Sequence, residues 1–210
     1  MILYEHATSG NCLKCRLALR ELAIPYESVS VDLFLGDTRT PEHFARNPDG
    51  RIPVLELDSG ETIAESGAIL VFLAEGTALL PADPIGRVRV LQWMFFEQNR
   101  IEAELAVARF MRLAGRDLTL PGAFSHRLER GTDALVTVER GLADGRPYLT
   151  GEQYTIADIA LYGYVHCAGE AGADPRTHTH VAGWLDRIEA RNGFVNDLEP
   201  YPDHASQRPI

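Results

Sequence analysis

The sequence predicts an α/β N-terminal domain followed by an all-α helical-bundle domain. Three observations carry this. Strand-type and helix-type patterns alternate over residues 1–75. Residues 76–85 hold Gly76, Pro81 and Pro84 and no periodic pattern, so they read as a linker. Beyond them the apolar spacing is helical throughout, and the second domain spans 86–210.

Ile2 to Tyr4 is a short apolar run that suits a buried strand. Ser9-Gly10-Asn11 reads as a turn and helix start. Cys12, Cys15, Leu19 and Leu22 then recur at helical spacing, and Ile24-Pro25 ends the helix. Tyr26 to Val31 alternates as a strand. Two strands joined through a helix pair in parallel. A polar stretch, 36–50, follows, then Pro53 to Leu57 as a third strand and Asp58-Ser59-Gly60 as a hairpin turn. Glu61 to Ala64 returns antiparallel, and Glu65-Ser66 opens a helix through Leu73. The order over the first domain is β-α-β-α-β-β-α.

In the second domain Gly86 to Leu113 is one long helix, with Val90, Trp93, Met94 and Phe96 on a repeating face. Phe124 to Leu142 is the next, between Pro121-Gly122 and Gly145. Thr155-Ile156-Ala157-Asp158 has the form of a capping box and starts an apolar helix through Ala168. Val181 to Arg191 is the last.

The totals exclude several classes. A net charge of −10 disfavours general nucleic-acid binding, which needs a basic surface. No stretch approaches the ~20 apolar residues of a membrane helix. The start Met1-Ile2-Leu3-Tyr4-Glu5-His6 lacks the basic and apolar regions of a signal peptide. Three cysteines, Cys12, Cys15 and Cys167, are an odd count and no disulfide framework, so a reducing, cytoplasmic setting is expected.

Four groups of residues suggest chemistry. Ser9-x-x-Cys12 stands at a strand-to-helix junction, where free amides and a partial positive charge of ~0.5 e stabilise a thiolate. Ser9 and Asn11 can each give such a thiolate a hydrogen bond; Ser9 can equally be a plain N-cap. Cys12-Leu13-Lys14-Cys15 is a CxxC, readable as a redox pair or as two core side chains. No second Cys/His pair has ligand spacing, so no metal is expected. Gly50-Arg51-Ile52-Pro53 places a proline at a strand start. A cis bond there would leave the Ile52 backbone able to dock an extended peptide, whereas a trans bond would mark an ordinary strand entry. Glu65-Ser66 opens a helix: two free amides and the Ser66 hydroxyl can hold a carboxylate, and Glu65 an amino group, or the pair can be only a cap.

The order of these marks resembles the cytosolic glutathione transferase family, in its bacterial, serine-type form. The resemblance runs over nearly the whole chain: Leu3-Tyr4, Ser9-Gly10-Asn11-Cys12-Leu13-Lys14-Cys15-Arg16-Leu17, Asn47-Pro48-Asp49-Gly50-Arg51-Ile52-Pro53-Val54-Leu55, and Ile63-Ala64-Glu65-Ser66-Gly67-Ala68-Ile69. Trp93-Met94-Phe95-Phe96-Glu97-Gln98 and Tyr148-Leu149-Thr150-Gly151, leading into Thr155-Ile156-Ala157-Asp158-Ile159, continue it.

The resemblance implies a thioredoxin-like first domain and glutathione as co-substrate, with no metal. It implies that Ser9, helped by Asn11, activates the glutathione thiol, that Arg51 meets the glycine carboxylate, that Ile52 before a cis Pro53 pairs with the cysteinyl backbone, and that Glu65 and Ser66 hold the γ-glutamyl head. Compared with glutaredoxins, Ser9 takes the place of the first cysteine, which weakens a mechanism through an enzyme thiol. The implied activity is glutathione transfer to a hydrophobic electrophile, a detoxification chemistry. The alternatives are glutathione-dependent disulfide reduction and a non-catalytic interaction protein on the same fold. A second-substrate pocket between the domains would draw on His6, Ala7, Glu104, Arg109, Phe110 and Leu113. The family also implies a homodimer, with Gln98 or Arg100 near the partner, and no nucleic-acid or membrane partner.

Overall fold

The computed structural model describes residues 1–207. It divides into two compact units: Met1–Ala74 with the segment from Gly193 onward, and Glu75–Asn192.

The first unit is built on a four-stranded mixed sheet in the order β2-β1-β3-β4. β1 (Ile2–Glu5) is followed by α1 (Gly10–Glu21) and β2 (Glu27–Ser30), and β1 and β2 pair in parallel, Tyr4 opposite Val29. β3 (Val54–Glu56) runs antiparallel to β1, and β4 (Thr62–Ala64) returns along β3. α3 (Ser66–Ala74) packs on α1. Leu3, Leu13, Leu19, Val54, Leu55, Ile69 and Leu70 are fully buried and form the core.

The polar stretch before β3 is not featureless. It holds a 3-10 turn, Asp37–Arg39, and a short helix, α2 (Pro41–Arg46). Thr40 caps α2 by accepting from the His43 amide, and Pro41 sits in the first turn, where its missing N–H costs nothing.

In the second unit the long helix starts earlier than the sequence pattern suggests. α4 (Pro84–Phe96) is capped by Asp83, whose side chain accepts from the Gly86 amide, so Pro84 belongs to the helix rather than the linker. The helix then widens into ten residues of π-helix, Glu97–Ala106, before α5 (Val107–Leu113). α6 (Pro121–Leu142), α7 (Ile156–Val165) and α8 (Thr179–Glu189) complete the bundle. Every residue of α7 is buried. Its capping box is formed, and the buried Asp158 carboxylate also accepts from the Leu149 amide and from Trp184 Nε1, both at 2.9 Å. α6 lies so close to the π segment that a Cβ on Gly131 would fall 2.4 Å from Leu105.

The segment from Gly193 returns to the first unit instead of extending the bundle. Asp197 accepts from Arg16 Nε at 2.8 Å, and the Glu199 amide donates to the Ala7 carbonyl at 3.1 Å. Tyr201 packs edge-on against Phe34, and His204 faces Asp32.

Candidate functional site

The sheet register gathers three chain segments at one end. Tyr4 on β1 pairs with Val54 on β3, and Val54 pairs with Ala64 on β4. β1 therefore leaves the sheet where β3 enters and β4 leaves. The loop His6–Ser9, the entry Arg51–Ile52–Pro53 and the exit Glu65–Ser66 all emerge at that end.

Ser9 is the N-cap of α1, with extended backbone angles (φ −87°, ψ 121°). Its Oγ accepts from the Cys12 amide at 3.3 Å, and its own amide donates to the His6 carbonyl at 3.0 Å. The hydroxyl thus keeps its hydrogen for donation. Of the two readings of Ser9, the structure shows the N-cap.

Asn11 and Ser66 come from helices separated by 55 positions, yet Ser66 Oγ donates to Asn11 Oδ1 at 3.1 Å. The same oxygen accepts from Lys14 Nζ at 2.7 Å. Ser66 and Lys14 are both buried. The first turn of α1 and the start of α3 are therefore one hydrogen-bonded patch.

The Ile52–Pro53 peptide is cis. β3 begins at Val54, so the Ile52 N–H and C=O lie outside the ladder. The preceding carbonyl, that of Arg51, is held by His43 Nε2 and Asn47 Nδ2, each at 3.0 Å. Gly50 has φ +64°, and a Cβ there would lie 2.7 Å from both Arg39 and Phe44, so only glycine fits this turn. The Arg51 side chain is exposed and pairs with Asp49.

Glu65 has φ +70°, the left-handed region that side chains other than glycine rarely adopt. Its carbonyl takes the Ile69 amide at 3.0 Å, the first turn of α3. Its carboxylate is exposed, with no hydrogen bond or ion pair among the described residues. Strain of this kind collects at ligand-binding positions.

The cysteines are withdrawn from this surface. Cys12 and Cys15 are fully buried and unpaired as a disulfide. Burial pushes the Cys12 thiol up to about 12, although its hydrogen bond with Ser9 pulls the other way. Burial also raises Cys15, and the neighbouring Cys12 adds to that. Of the two CxxC readings, the geometry supports core side chains. Tyr4 donates to Glu56 at 3.0 Å from inside the strand.

His6 is half-buried, bonded through Nδ1 to Thr8 at 2.9 Å and edge-on to Phe34; burial lowers its pKa. Ala7 follows it in the first unit, and the remaining residues expected around a second substrate lie in the helical unit. Glu104 is buried and accepts from Arg127 at 2.9 Å and Arg130 at 2.7 Å. Arg109 is buried and donates to Glu170 at 2.6 Å. Both charges are committed to joining helices. Phe110 lies under the Arg116 guanidinium, and Leu113, like Phe110, is half-buried.

Sequence patterns passed over Lys14, His43 and Asn47. Lys14 carried a signal, since it stands three positions after Asn11 on a helix, where side chains meet.

Two family models match the chain: the glutathione S-transferase N-terminal domain over residues 8–75 and the C-terminal domain over 121–202. The chain belongs to the glutathione S-transferase family. A disulfide-bond oxidoreductase of Escherichia coli, YfcG, is 32% identical over 198 residues, 91% of each chain. A maleylacetoacetate isomerase of Rhizobium meliloti is 48% identical, but over 92 residues, 42% of this chain and 43% of the isomerase. Among solved structures, a glutathione S-transferase from Pseudomonas fluorescens Pf-5 superposes with TM-score 0.91 at 44% identity, covering 94% of this chain and 98% of its own. A second family member from the same strain, with two glutathione bound, superposes with TM-score 0.82 at 28% identity, covering 94% and 92%.

Proposed function

We propose that this glutathione S-transferase family member binds glutathione at the shared sheet end and activates its thiol. The Ser66–Asn11 hydrogen bond is the observation that carries this reading. It joins the place proposed for the γ-glutamyl head to the place proposed for the thiol. Glu65 would take the amino group, Ser66 the γ-glutamyl carboxylate, the Ile52 backbone the cysteinyl peptide, and Arg51 the glycine carboxylate.

Ser9 and Asn11 would donate to the sulfur at the N-terminus of α1. A free thiol near pKa ~8.5 is mostly protonated at neutral pH. Lowering it by ~2 units takes about 2.7 kcal/mol of differential stabilisation. Two hydrogen bonds to a charged acceptor, at ~1.5–3 kcal/mol each, are sufficient.

The activated sulfur would attack an electrophilic carbon: a C–S bond forms, and the leaving group departs with its electron pair. His6, immediately before the Ala7–Thr8 turn that leads to Ser9, would adjoin the second substrate. The fit to YfcG over 91% of the chain favours a second reading, attack on a disulfide sulfur. There, one glutathione forms a mixed disulfide and expels a thiolate. A second glutathione then releases the other thiol as glutathione disulfide forms. The burial of Cys12 speaks against an enzyme thiol in either reaction.

The test is calorimetry with glutathione, then turnover with an aryl halide and with a mixed disulfide. Ser66→Ala and Glu65→Ala should each weaken glutathione roughly ten-fold or more. Ser9→Ala should lower kcat and raise the pKa of the bound thiol, with affinity little changed. Full rate in Ser9→Ala and in the Ser9/Asn11 double variant, with loss in Cys12→Ser, would transfer the chemistry to the enzyme thiol.

A further inference from the structure

We infer that His43 is a positioning residue of the glutathione site: by holding the Arg51 carbonyl it aims the Ile52 N–H at the cysteinyl carbonyl of the ligand. This rests on the proposed docking of the cysteinyl peptide on the Ile52 backbone.

A peptide unit is planar, and in its trans form the C=O and the N–H point to opposite sides. The Arg51 carbonyl and the Ile52 amide belong to one trans unit; the cis bond is the next one, Ile52–Pro53. Whatever holds the Arg51 oxygen therefore also sets the direction of the Ile52 N–H. His43 Nε2 and Asn47 Nδ2 hold that oxygen, each at 3.0 Å. A carbonyl oxygen only accepts, so His43 carries a hydrogen on Nε2. The Asp49 amide donates to Asn47 Oδ1 at 3.1 Å, so the arm of Asn47 that faces Arg51 is its NH2 group. The two donors engage both lone pairs of the carbonyl. On the opposite side of the plane, the Ile52 N–H makes no hydrogen bond among the described residues. A ligand that meets it must bring an acceptor, and the backbone acceptor of a cysteinyl residue is its carbonyl.

The short helix α2 delivers this contact. Most of its residues face solvent, yet His43 is buried, and so is Asn47 just beyond the helix. Thr40 Oγ1 accepts from the His43 amide at 3.2 Å, and the His43 carbonyl accepts from the Asn47 amide at 2.9 Å. The backbone is thus fixed on both sides of the imidazole. The Gly50 amide donates to the Asn47 carbonyl at 2.9 Å and closes the turn that leads to Arg51. Water can satisfy a loop carbonyl at a surface. Two buried side chains in its place fix the direction of the peptide as well as its bonding.

The experiment is calorimetry on the wild type, His43→Phe and His43→Gln with two ligands. One is glutathione. The other is an analogue with an (E)-alkene in place of the Cys–Gly peptide, which keeps the shape and lacks the cysteinyl carbonyl. The wild type should bind the analogue about five-fold more weakly than glutathione, the worth of one neutral hydrogen bond. His43→Phe keeps a flat ring without the donor. It should weaken glutathione by roughly the same five-fold and leave the analogue within about two-fold. His43→Gln restores an N–H donor and should stay within about two-fold of the wild type for both ligands. If His43→Phe does not fold, Asn47→Ala removes the second donor and should show the same selective loss. Equal weakening of both ligands would overturn the inference, because a merely loosened loop does not distinguish them. So would unchanged glutathione affinity in His43→Phe, or a loss in His43→Gln as large as that in His43→Phe. A wild type that binds both ligands equally would instead overturn the docking on Ile52 itself, a result separate from these.

Discussion

Glu65 separates the cost of the site from its function, and replacing it by glycine and by alanine measures both. Its φ of +70° places Cβ against the backbone, a cost of roughly 1–2 kcal/mol for an L-residue. Glycine removes that cost but gives back about 0.5–1 kcal/mol of chain entropy. Alanine keeps the strain and loses the same carboxylate. Because that carboxylate makes no hydrogen bond or ion pair among the described residues, neither variant loses a native polar interaction. Glu65→Gly should therefore be more stable than Glu65→Ala by about 0.5–1 kcal/mol, a shift of roughly 1–4 °C in Tm for a chain of this length. Both should lose glutathione affinity by the same factor, about 10- to 150-fold, if the carboxylate holds the ligand amino group through a charge-assisted bond. Urea unfolding and calorimetry on the three proteins give all the quantities needed. A glycine variant less stable than the alanine variant would refute the strain, and wild-type affinity in either would refute the role of the carboxylate.

Three further outcomes are expected. None of the thiols should react with a thiol reagent in the native protein at pH 8, since all three are buried and Cys12 is pushed up to about 12; rapid labelling before unfolding would contradict this. Arg16→Met should cost about 3–5 kcal/mol in urea unfolding, because it strands the buried Glu5 and uncouples Asp197; a loss under about 1 kcal/mol would show that the cluster is idle. Burial raises the Asp197 pKa, but Arg20 and Arg16 together outweigh it and leave the carboxyl lowered. Its stabilising contribution is thus complete above the unfolded value of about 4 and is lost as pH falls through the lower folded value. Asp197→Asn should flatten the stability profile in that acid window, and an unchanged profile between pH 2 and about 5 would count against the clasp.

The parts of the fold that were legible are those where short-range signals agree. Asp58-Ser59-Gly60 turns the hairpin and Thr155 with Asp158 caps α7, each through chemistry contained within a few residues; α1 ends at Glu21, ahead of the Ile24-Pro25 stop, with Ala23 at φ 52°. What was not legible depends on distance or on weak local signals. α2 had its place in the expected order but not its bounds, because it is six mostly exposed residues without an apolar face. The segment from Gly193 carries no periodicity, and Asp197 meets Arg16 across 181 positions. A regular apolar stripe predicts one continuous helix and says nothing of the ten-residue π segment. At the site, Ser9, Glu65 and Ser66 stood out because polar residues at helix starts are conspicuous. Lys14 did not, because a lysine between two core cysteines reads as a solvated side chain until its burial is known.

The contrast between Ser9 and Cys12 shows how one helix start sorts its nucleophiles. Both stand in the first turn of α1, and Ser9 Oγ already bonds the Cys12 amide. The helix N-terminus favours an anion on either. Burial then decides between them: Cys12 is fully enclosed, and for a thiolate the lost solvation outweighs the hydrogen bonds with Ser9 and the His6 backbone together. The half-buried Ser9 hydroxyl sits at the border and can face what arrives from outside. On the proposed function, the donors of this helix start would serve an external acceptor, and a thiol brought in by a ligand would meet the stabilisation that the chain's own thiol is denied. Transfer to carbon and reduction of a disulfide would both begin from that same external thiolate. The choice between them would then lie with the second substrate and not with the cysteines of this chain.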